Sequence, residues 1–432
     1  MKKLLSVVLA LLMLAVMLPV VSLADDTLPA APTMNGNEWT VTPDNAQATL
    51  DGAYGSIDGK TIILSAGTYG RLELGRATAY EDSNTTYTCP HNDPTIADGG
   101  SVSFAKVEDY ITHMTSNPHH GDARTFTRTM SNLTITAQEE ADVTVEGLTL
   151  LARTYRDAKD PFVTSTEKDY IGYDIDLVVH DLAFSNIKFT GKVEIASENR
   201  DNTIIDGVTF ENCKFETTDI TTINGQAINF SNNVNNGQVK NLIVKNCDFT
   251  NCYQGVYTNQ VRNVSVTGCT FNTTGHNAIA VQDNGNNPCN HGNVVITGNT
   301  FKNVGDRIIR FNKPAAETVI TITKNTAVNS GKDVDGKKEI IAAVDLPESV
   351  SVTMAGNKWG ENTKFGNGFE NVVDEPIPEP SAPIVIVPDR TEDTPKTEPE
   401  KNPTTGANDM VAAAAALMAV SALGMAVLSR KK

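Results

Sequence analysis

Six polar or aromatic side chains recur within short alternating stretches of the sequence, and they are of the types that bind sugars. They are one acid, one aromatic ring and four amides: Glu194, Asn229, Tyr257, Asn259, Gln282 and Asn312. A tyrosine ring can stack against the face of a pyranose, and carboxamides can form paired hydrogen bonds with neighbouring hydroxyls. The set predicts glycan binding if the fold gathers it on one surface. The competing interpretation is an exposed strand face that is polar only because it meets water.

A second group, made of basic side chains, has chemistry suited to catalysis. The candidates are His276, Arg307, Arg310 and Lys313. A polysaccharide lyase needs a base, and it needs a cation or an acid that neutralises the carboxylate of the uronate unit. Glu194 or Asp283 could hold calcium for that purpose, but no run of acids forms a calcium motif and no Cys/His spacing forms a zinc motif. The sequence therefore predicts no metal and no other cofactor, with calcium an option that no motif supports.

A repeated phrase indicates how these side chains are positioned. A small or polar residue is followed by two residues and then by phenylalanine, in Asn186–Phe189, Asn212–Phe215, Asn246–Phe249, Gly268–Phe271 and Gly298–Phe301, with a weaker copy at Lys324–Ala327. The copies begin 26, 34, 22, 30 and 26 residues apart. A minimum spacing with variable excess is typical of coils of constant circumference that carry loops at one corner.

Short β-branched strands bounded by Asn and Gly surround each phrase. This pattern predicts an all-β fold, a right-handed parallel β-helix, because a β-sandwich would show hairpin turns every 8–12 residues or so. Equivalent positions of successive coils should lie about 4.8 Å apart. We therefore expect the phenylalanines to stack ring on ring. We also expect Cys213, Cys247 and Cys269 to form one interior column, in which a thiol acts as a small apolar group.

The alternation assigns inward and outward positions on the longest strand of each coil. Five pairs are expected to point inward: Val193/Ile195, Ile228/Phe230, Val256/Thr258, Ile279/Val281 and Ile309/Phe311. The residues between them should face outward: Glu194, Asn229, Tyr257, Ala280 and Arg310. One step further along lie Ala196, Ser231, Asn259, Gln282 and Asn312, and Asp283 and Lys313 follow the strand ends. In this register the sugar-binding candidates share one face.

The N-terminal region is consistent with the same architecture. An amphipathic segment at 46–54 precedes a strand at Thr61–Leu64, a polar insertion occupies about residues 75–130, and coil strands resume at Leu133. This order resembles the entry of pectate-lyase-like β-helix proteins, in which a helix caps the open end of the coil. A cap is needed because a terminal coil otherwise presents unpaired strand edges. The resemblance implies that an extended glycan lies across the exposed face of the coil.

Polygalacturonases allow a sharper comparison. Their motifs on four successive coils correspond here to Asn224-Gly225-Gln226, Tyr253-Gln254, Gly275-His276-Asn277 and Arg307-Ile308-Ile309. The histidine and the arginine match. The three carboxylates that would supply the general acid and activate water do not. The comparison disfavours a hydrolase of that type.

Both ends of the chain resemble targeting signals. Residues 1–24 resemble a secretory signal peptide, with a basic start, an apolar run and the small-residue pattern Ser22-Leu23-Ala24. Residues 402–432 resemble the sorting signal of Gram-positive wall-anchored proteins, with an apolar span at 410–428 and a basic tail, although Asn402 stands where that family has leucine. The resemblance implies that a sortase cleaves between Thr405 and Gly406 and joins Thr405 to peptidoglycan. The alternatives are an uncleaved N-terminal anchor and a plain C-terminal membrane anchor.

The intervening chain divides into a β-helix domain at 25–373 and a spacer at 374–401, whose Pro-rich and charged composition cannot bury a core. A net charge of −17 argues against nucleic acid as a partner, and membrane contact is expected only through the transient C-terminal span. Cys252 and Cys289 lie at turns and could pair, while Cys89 lies in the insertion. The sequence thus predicts an extracellular protein, attached to the cell wall, whose coil binds complex glycan. The alternative is a polysaccharide lyase or another glycan-active enzyme of the pectate-lyase-like class.

Overall fold

The computed structural model describes residues 28–75, 85–89, 102–104, 124–152, 154–155, 164–166, 169–171, 173–198, 200, 202–232, 238–283 and 291–376. The predicted signal peptide, the spacer beyond residue 376 and the sorting signal, including Thr405, Gly406 and the span at 410–428, lie outside these residues. Within them the chain winds as a parallel β-helix with three faces. No helix among the described residues is long and apolar enough to cross a membrane.

Face 1 is a continuous sheet whose neighbouring strands run parallel, except for the antiparallel hairpin that opens it. Its strands are Thr33–Asn35, Glu38–Val41, Thr61–Leu64, Arg124–Ala137, Tyr173–Ser185, Ile204–Glu211, Val239–Lys245, Arg262–Thr267, Asn293–Thr297, Val319–Thr323, Ser351–Ala355 and Asp374–Glu375. The last strand pairs with Met354 and Ala355, so the ordered coil continues two residues past the predicted boundary at 373.

Faces 2 and 3 belong to one sheet, because Gly67–Leu74 and Val143–Leu151 run through both without a break. Face 2 continues through Lys188–Phe189, Lys214–Glu216, Asp248–Cys252, Thr270–Thr274, Thr300–Val304 and Thr326–Val328. Face 3 continues through Val193–Ala196, Gln226–Ser231, Gln254–Asn259, Ile279–Gln282, Ile309–Asn312 and Lys337–Val344. Each coil therefore passes from face 1 to face 2 to face 3.

Several shorter strands lie outside the three faces or at their edges. Lys332–Val334 and Thr363–Phe365 flank the last strand of face 3, Thr85–Cys89 joins Val102–Phe104 to face 1, Thr154–Tyr155 pairs with face 1, and Thr164–Thr166 forms a hairpin with Asp169–Ile171. In the part of the chain that the structure describes, the helices are the α-helix Ala46–Leu50 and the 3-10 turn Ile223–Gly225.

The N-terminal helix lies where the sequence predicted a cap. Gln47 donates through Nε2 to the carbonyl of Glu73 and accepts through Oε1 from the Glu73 amide, at 2.8 and 2.9 Å. These two bonds satisfy the backbone of Glu73 at the edge of Gly67–Leu74, a strand that has a strand neighbour on one side only. The buried Arg128 ties the helix to face 1 by donating from Nη2 to the carbonyl of Leu50 at 2.9 Å.

The limits of the predicted insertion need correction. Residues 124–130, assigned to the insertion, form the first half of the face 1 strand Arg124–Ala137. Each of them pairs in register with the strand Tyr173–Ser185. The alternation that places Met130 in the core begins well before Leu133, where the sequence placed the resumption of the coil.

The phenylalanine column fills the core beneath face 2, as predicted. Ring centroids of Phe189, Phe215, Phe249, Phe271 and Phe301 follow one another at 5.2, 4.7, 4.5 and 5.1 Å, with nearly parallel planes. Parallel stacking in exact register is possible because each ring sits on the same position of successive strands. The same stacking contact between phenylalanine rings therefore repeats from coil to coil.

A second interior ladder lies at the turn between faces 1 and 2. Cys213, Cys247 and Cys269 are buried free thiols in one column, which confirms their predicted core role. The column continues through asparagines: the Cys269 amide donates to Asn299 Oδ1, and the Asn299 amide donates to Asn325 Oδ1, both at 2.9 Å. The residue before each cysteine, either Asn or Gly, has a positive φ of 53° to 65°. This left-handed conformation explains why the repeat begins with those two residue types.

Candidate functional site

The outward column of face 3 has the predicted register. Glu194 pairs with Asn229, Asn229 with Tyr257, Tyr257 with Ala280, and Ala280 with Arg310. The ten side chains predicted to point inward are all buried: Val193, Ile195, Ile228, Phe230, Val256, Thr258, Ile279, Val281, Ile309 and Phe311. The strands alternate because each buries one row of side chains in the core and presents the other outward.

The next column corrects one of the predicted sugar-binding residues. Ala196, Ser231 and Asn259 are buried, with Asn259 only 7% exposed, whereas Gln282 and Asn312 are half-buried. The chain is already turning toward face 1 here, since the residues that follow two of them, Asn232 and Gln260, are buried as well. Asn259 is therefore largely buried in the turn, and little of its side chain is accessible.

At one end of the outward column the polar side chains bind each other. Lys192 Nζ lies 2.6 Å from Glu194 Oε1, and Asn229 Nδ2 donates to the same oxygen at 3.2 Å. Ser231 Oγ donates to Asn229 Oδ1 at 2.6 Å. The two predicted ligand residues Glu194 and Asn229 thus form a closed network, which lowers the number of groups free to bind a sugar.

The middle of the column has a different shape. Ala280 is 0% exposed between Tyr257 and Arg310, both of which are half-buried. Two strand spacings separate these larger side chains by about 9.5 Å, close to the length of two sugar units. We call the three positions Tyr257, Ala280 and Arg310 the face 3 notch, because the smallest side chain of the column stands between two large ones. Among the residues that the structure describes, the Arg310 guanidinium has no hydrogen-bond or ion-pair partner.

The notch borders a polar corner between faces 2 and 3, built from successive coils. The His276 ring stacks on Tyr253 with centroids 5.1 Å apart. Its Nδ1 lies 3.4 Å from Gln254 Nε2, and its Nε2 lies 3.3 Å from Asp306 Oδ2. Gln254 is held in turn by Gln226, whose Nε2 donates to its Oε1 at 2.7 Å. Both ring nitrogens of His276 therefore face protein groups.

Arg307 closes the other side of this corner. Its Nε lies 2.6 Å from Glu339 Oε1, and its Nη1 lies 3.4 Å from Asp306 Oδ1. Sequence reasoning matched His276 and Arg307 but missed these two carboxylates. Asp306 directly precedes Arg307 and could have been found at this corner. Glu339 lies on Lys337–Val344, beyond the repeated phrase that sets the alignment.

Burial and neighbouring charges both change the pKa of His276. Burial lowers the pKa of this imidazole below its usual 6.5, Asp306 opposes that change, and Arg310 and Arg307 add to the lowering. The imidazole is consequently neutral at physiological pH. A neutral ring with Gln254 donating to Nδ1 carries its proton on Nε2, the nitrogen that lies 3.3 Å from Asp306.

The four catalytic candidates do not converge. His276 and Arg307 lie at the corner before the face 3 strands, whereas Lys313 follows the end of Ile309–Asn312. A four-residue strand spans about 13 Å. Arg310 lies between these two ends. Beside Lys313, the Asn312 amide donates to the carbonyl of Asp283 at 2.9 Å. Within the described ranges no group of three or more His, Cys, Asp or Glu residues could hold a metal ion.

Comparison with known proteins bears on the coils that carry this surface. No curated protein and no solved structure matches the chain. Residues 178–359 match the family model described as the right-handed β-helix region. The matched region includes the notch and the corner, and its strands run parallel in register from coil to coil. This part of the chain is a right-handed parallel β-helix.

Proposed function

We propose that this protein is displayed on the cell wall and binds an acidic glycan across face 3, at the notch formed by Tyr257, Ala280 and Arg310. One observation carries the proposal: Arg310 is a half-buried cation with no partner among the described residues. Arg307 and Glu194, by contrast, are already paired, with Glu339 and Lys192. A guanidinium left free in this way is suited to a carboxylate or a sulfate.

The side chains of the notch suit a sugar chain that has both apolar ring faces and acidic groups. Tyr257 offers a ring face for an apolar sugar surface, and Arg310 lies two strands away in the same outward column. The net charge of −17 repels anionic polymers from most of the surface. A local cation is therefore needed wherever such a polymer binds, and Arg310 supplies it.

The corner supports binding more than catalysis. A general base must present a free lone pair to the substrate, but both nitrogens of His276 face Gln254 and Asp306. Asp306 and Glu339 are in turn engaged by Arg307. A polysaccharide lyase that uses Arg310 against the uronate carboxylate remains the second candidate, because His276 and Arg310 border the same notch.

The test compares the 25–405 fragment with a Tyr257→Ala/Arg310→Ala double variant on an array of acidic and neutral glycans. We expect the parent to bind acidic glycans and the double variant to lose binding by at least tenfold, with thermal stability nearly unchanged, as is usual for surface substitutions. Arg262→Ala is the matched control, since it removes the same charge from face 1, where Arg262 is exposed. Parent-like binding by the double variant would place the site elsewhere. Release of unsaturated sugar products, detected by ultraviolet absorbance, would favour the lyase.

A further inference from the structure

The loop 218–223, which joins face 2 to face 3 in the coil before Tyr253, exposes two large apolar side chains. Ile220 is 39% exposed and Ile223 is 63% exposed. Asn224, next to Ile223, is also exposed and carries an amide. Exposed isoleucines are ordinary when scattered singly, but two in one short loop beside a polar site suggest a contact surface.

The backbone of the loop packs against the backbone of the corner. A Cβ on Gly225 would come 1.5 Å from the carbonyl oxygen of Asp219, and a Cβ on Gly275 would come 1.8 Å from that of Ile220. Only glycine permits such close approach of two backbone segments. Gly275 belongs to the second coil after the loop, so the loop reaches across the coil of Tyr253, and the Ile220 carbonyl lies beside Gly275, the residue before His276.

Asp219 fixes the shape of the loop. Its Oδ1 accepts from the amides of Thr221 and Thr222 at 2.8 and 3.0 Å and from the Thr221 hydroxyl at 2.8 Å, while its Oδ2 accepts from the Thr222 hydroxyl. These bonds lower the pKa of Asp219 to about 2. Asp219 is therefore ionised at neutral pH and accepts all of these hydrogen bonds.

The geometry points to an apolar rim, formed by Ile220 and Ile223, that binds the acetyl group of an acetylated sugar unit in the glycan held at the face 3 notch. This inference rests on the proposed function and adds a substituent to its ligand. An acetyl group combines a methyl, which the isoleucines can cover, with a carbonyl, which the Asn224 amide can donate to. Burying one methyl and gaining one hydrogen bond together correspond to about a tenfold gain in affinity.

The experiment uses an O-acetylated polyuronate and the same polymer after mild alkaline removal of its acetyl groups, which leaves the carboxylates in place. We expect the parent to bind the acetylated polymer about tenfold more tightly. An Ile220→Ser/Ile223→Ser double variant should bind both polymers equally, at the affinity of the parent for the deacetylated form. The matched control is Ile243→Ser/Val328→Ser, which changes exposed apolar residues on faces 1 and 2.

The outcomes separate this inference from the proposed function. If the parent binds both polymers equally, or if the double variant keeps the preference, the rim does not bind acetyl groups, and the glycan site at the notch still stands. If the parent binds neither polymer, the inference is overturned, and the glycan array decides separately whether the notch binds another acidic glycan. Self-association of the parent that the double variant abolishes would assign the rim to a contact between copies of this chain and overturn the inference. Circular dichroism of each variant verifies folding.

Discussion

Nε2 of His276 lies 3.3 Å from Oδ2 of Asp306, although the two residues belong to successive coils. The contact depends on the parallel register that stacks the strand Thr270–Thr274 on Thr300–Val304. Burial lowers the pKa of His276, so the pair joins a neutral ring to a carboxylate. Proton binding by the folded protein is therefore disfavoured at this site relative to the unfolded chain.

This relationship predicts that acid destabilises the fold through His276. Above the usual pKa of 6.5 the histidine is neutral in both states and has no effect on the pH dependence. As the pH falls below 6.5, the unfolded chain binds the proton first, so the free energy of unfolding decreases until the pH reaches the lowered pKa of the folded state. A His276→Gln variant should lose less stability across this window than the parent.

The measurement is thermal unfolding of the parent and the variant at pH values from 8 down to about 5, a range that spans the usual histidine pKa. Burial also lowers the pKa of His291, which adds a contribution of the same sign, so only the difference between the two proteins reports on His276. His180→Gln, on face 1, serves as the control substitution. A parent and variant whose melting temperatures fall in parallel would contradict the prediction.

The stacked rings predict a large cost for truncating the middle of the phenylalanine column. Phe249 lies between Phe215 and Phe271 at centroid distances of 4.7 and 4.5 Å. Phe249→Ala should lower the free energy of unfolding by about 3–5 kcal/mol, as large-to-small core substitutions do. Urea unfolding measures the change, with Thr250→Ala, on the outward side of the same strand, as the control. Equal effects of the two substitutions would show that the column is not a core element.

The repeated phrase was sufficient to predict the coil because one position of each coil serves one structural role. Phenylalanines that recur at variable spacing can share a core column only if loops absorb the excess residues, and the alternation around them then determines which side chains face outward. For this reason the inward residues of face 3 and the column from Glu194 to Arg310 were predicted correctly. The same logic placed Cys213, Cys247 and Cys269 in the core.

The corner could not be predicted in the same way. Its residues lie where loops of different lengths enter, so the repeat does not align Glu339 with Arg307, and only the folded coil brings them to 2.6 Å. Asn259 was misassigned for a related reason. Alternation gives the direction of a side chain but does not show where the strand ends and the chain turns inward. The repeat of residue types also gave no indication that Lys192 and Glu194 form an ion pair.

The asparagine ladder predicts a second stability effect, of polar origin. Oδ1 of Asn325 accepts from the amide of Asn299 at 2.9 Å, and its Nδ2 donates to the carbonyl of Ile296 at 2.9 Å. Asn325→Ala would leave both buried backbone groups without these partners, at about 1–3 kcal/mol each. Chemical denaturation should therefore show a loss of about 2–6 kcal/mol. Asn35→Ala, in the exposed hairpin of face 1, should change stability little. An Asn325→Ala protein as stable as that control would mean that water replaces the amide.

The sequence also predicts how the protein is held outside the cell. If a sortase cleaves between Thr405 and Gly406, the carbonyl of Thr405 becomes the covalent link to peptidoglycan. Thr405→Ala should then reduce the amount that remains with the wall after boiling in detergent, and deletion of 410–432 should release the protein into the medium, because the apolar span no longer retains it for cleavage. Ser381→Ala, in the predicted spacer, is the control. Undiminished recovery of both altered proteins with detergent-washed peptidoglycan would contradict sorting, whereas complete extraction of the parent by detergent would indicate a plain membrane anchor.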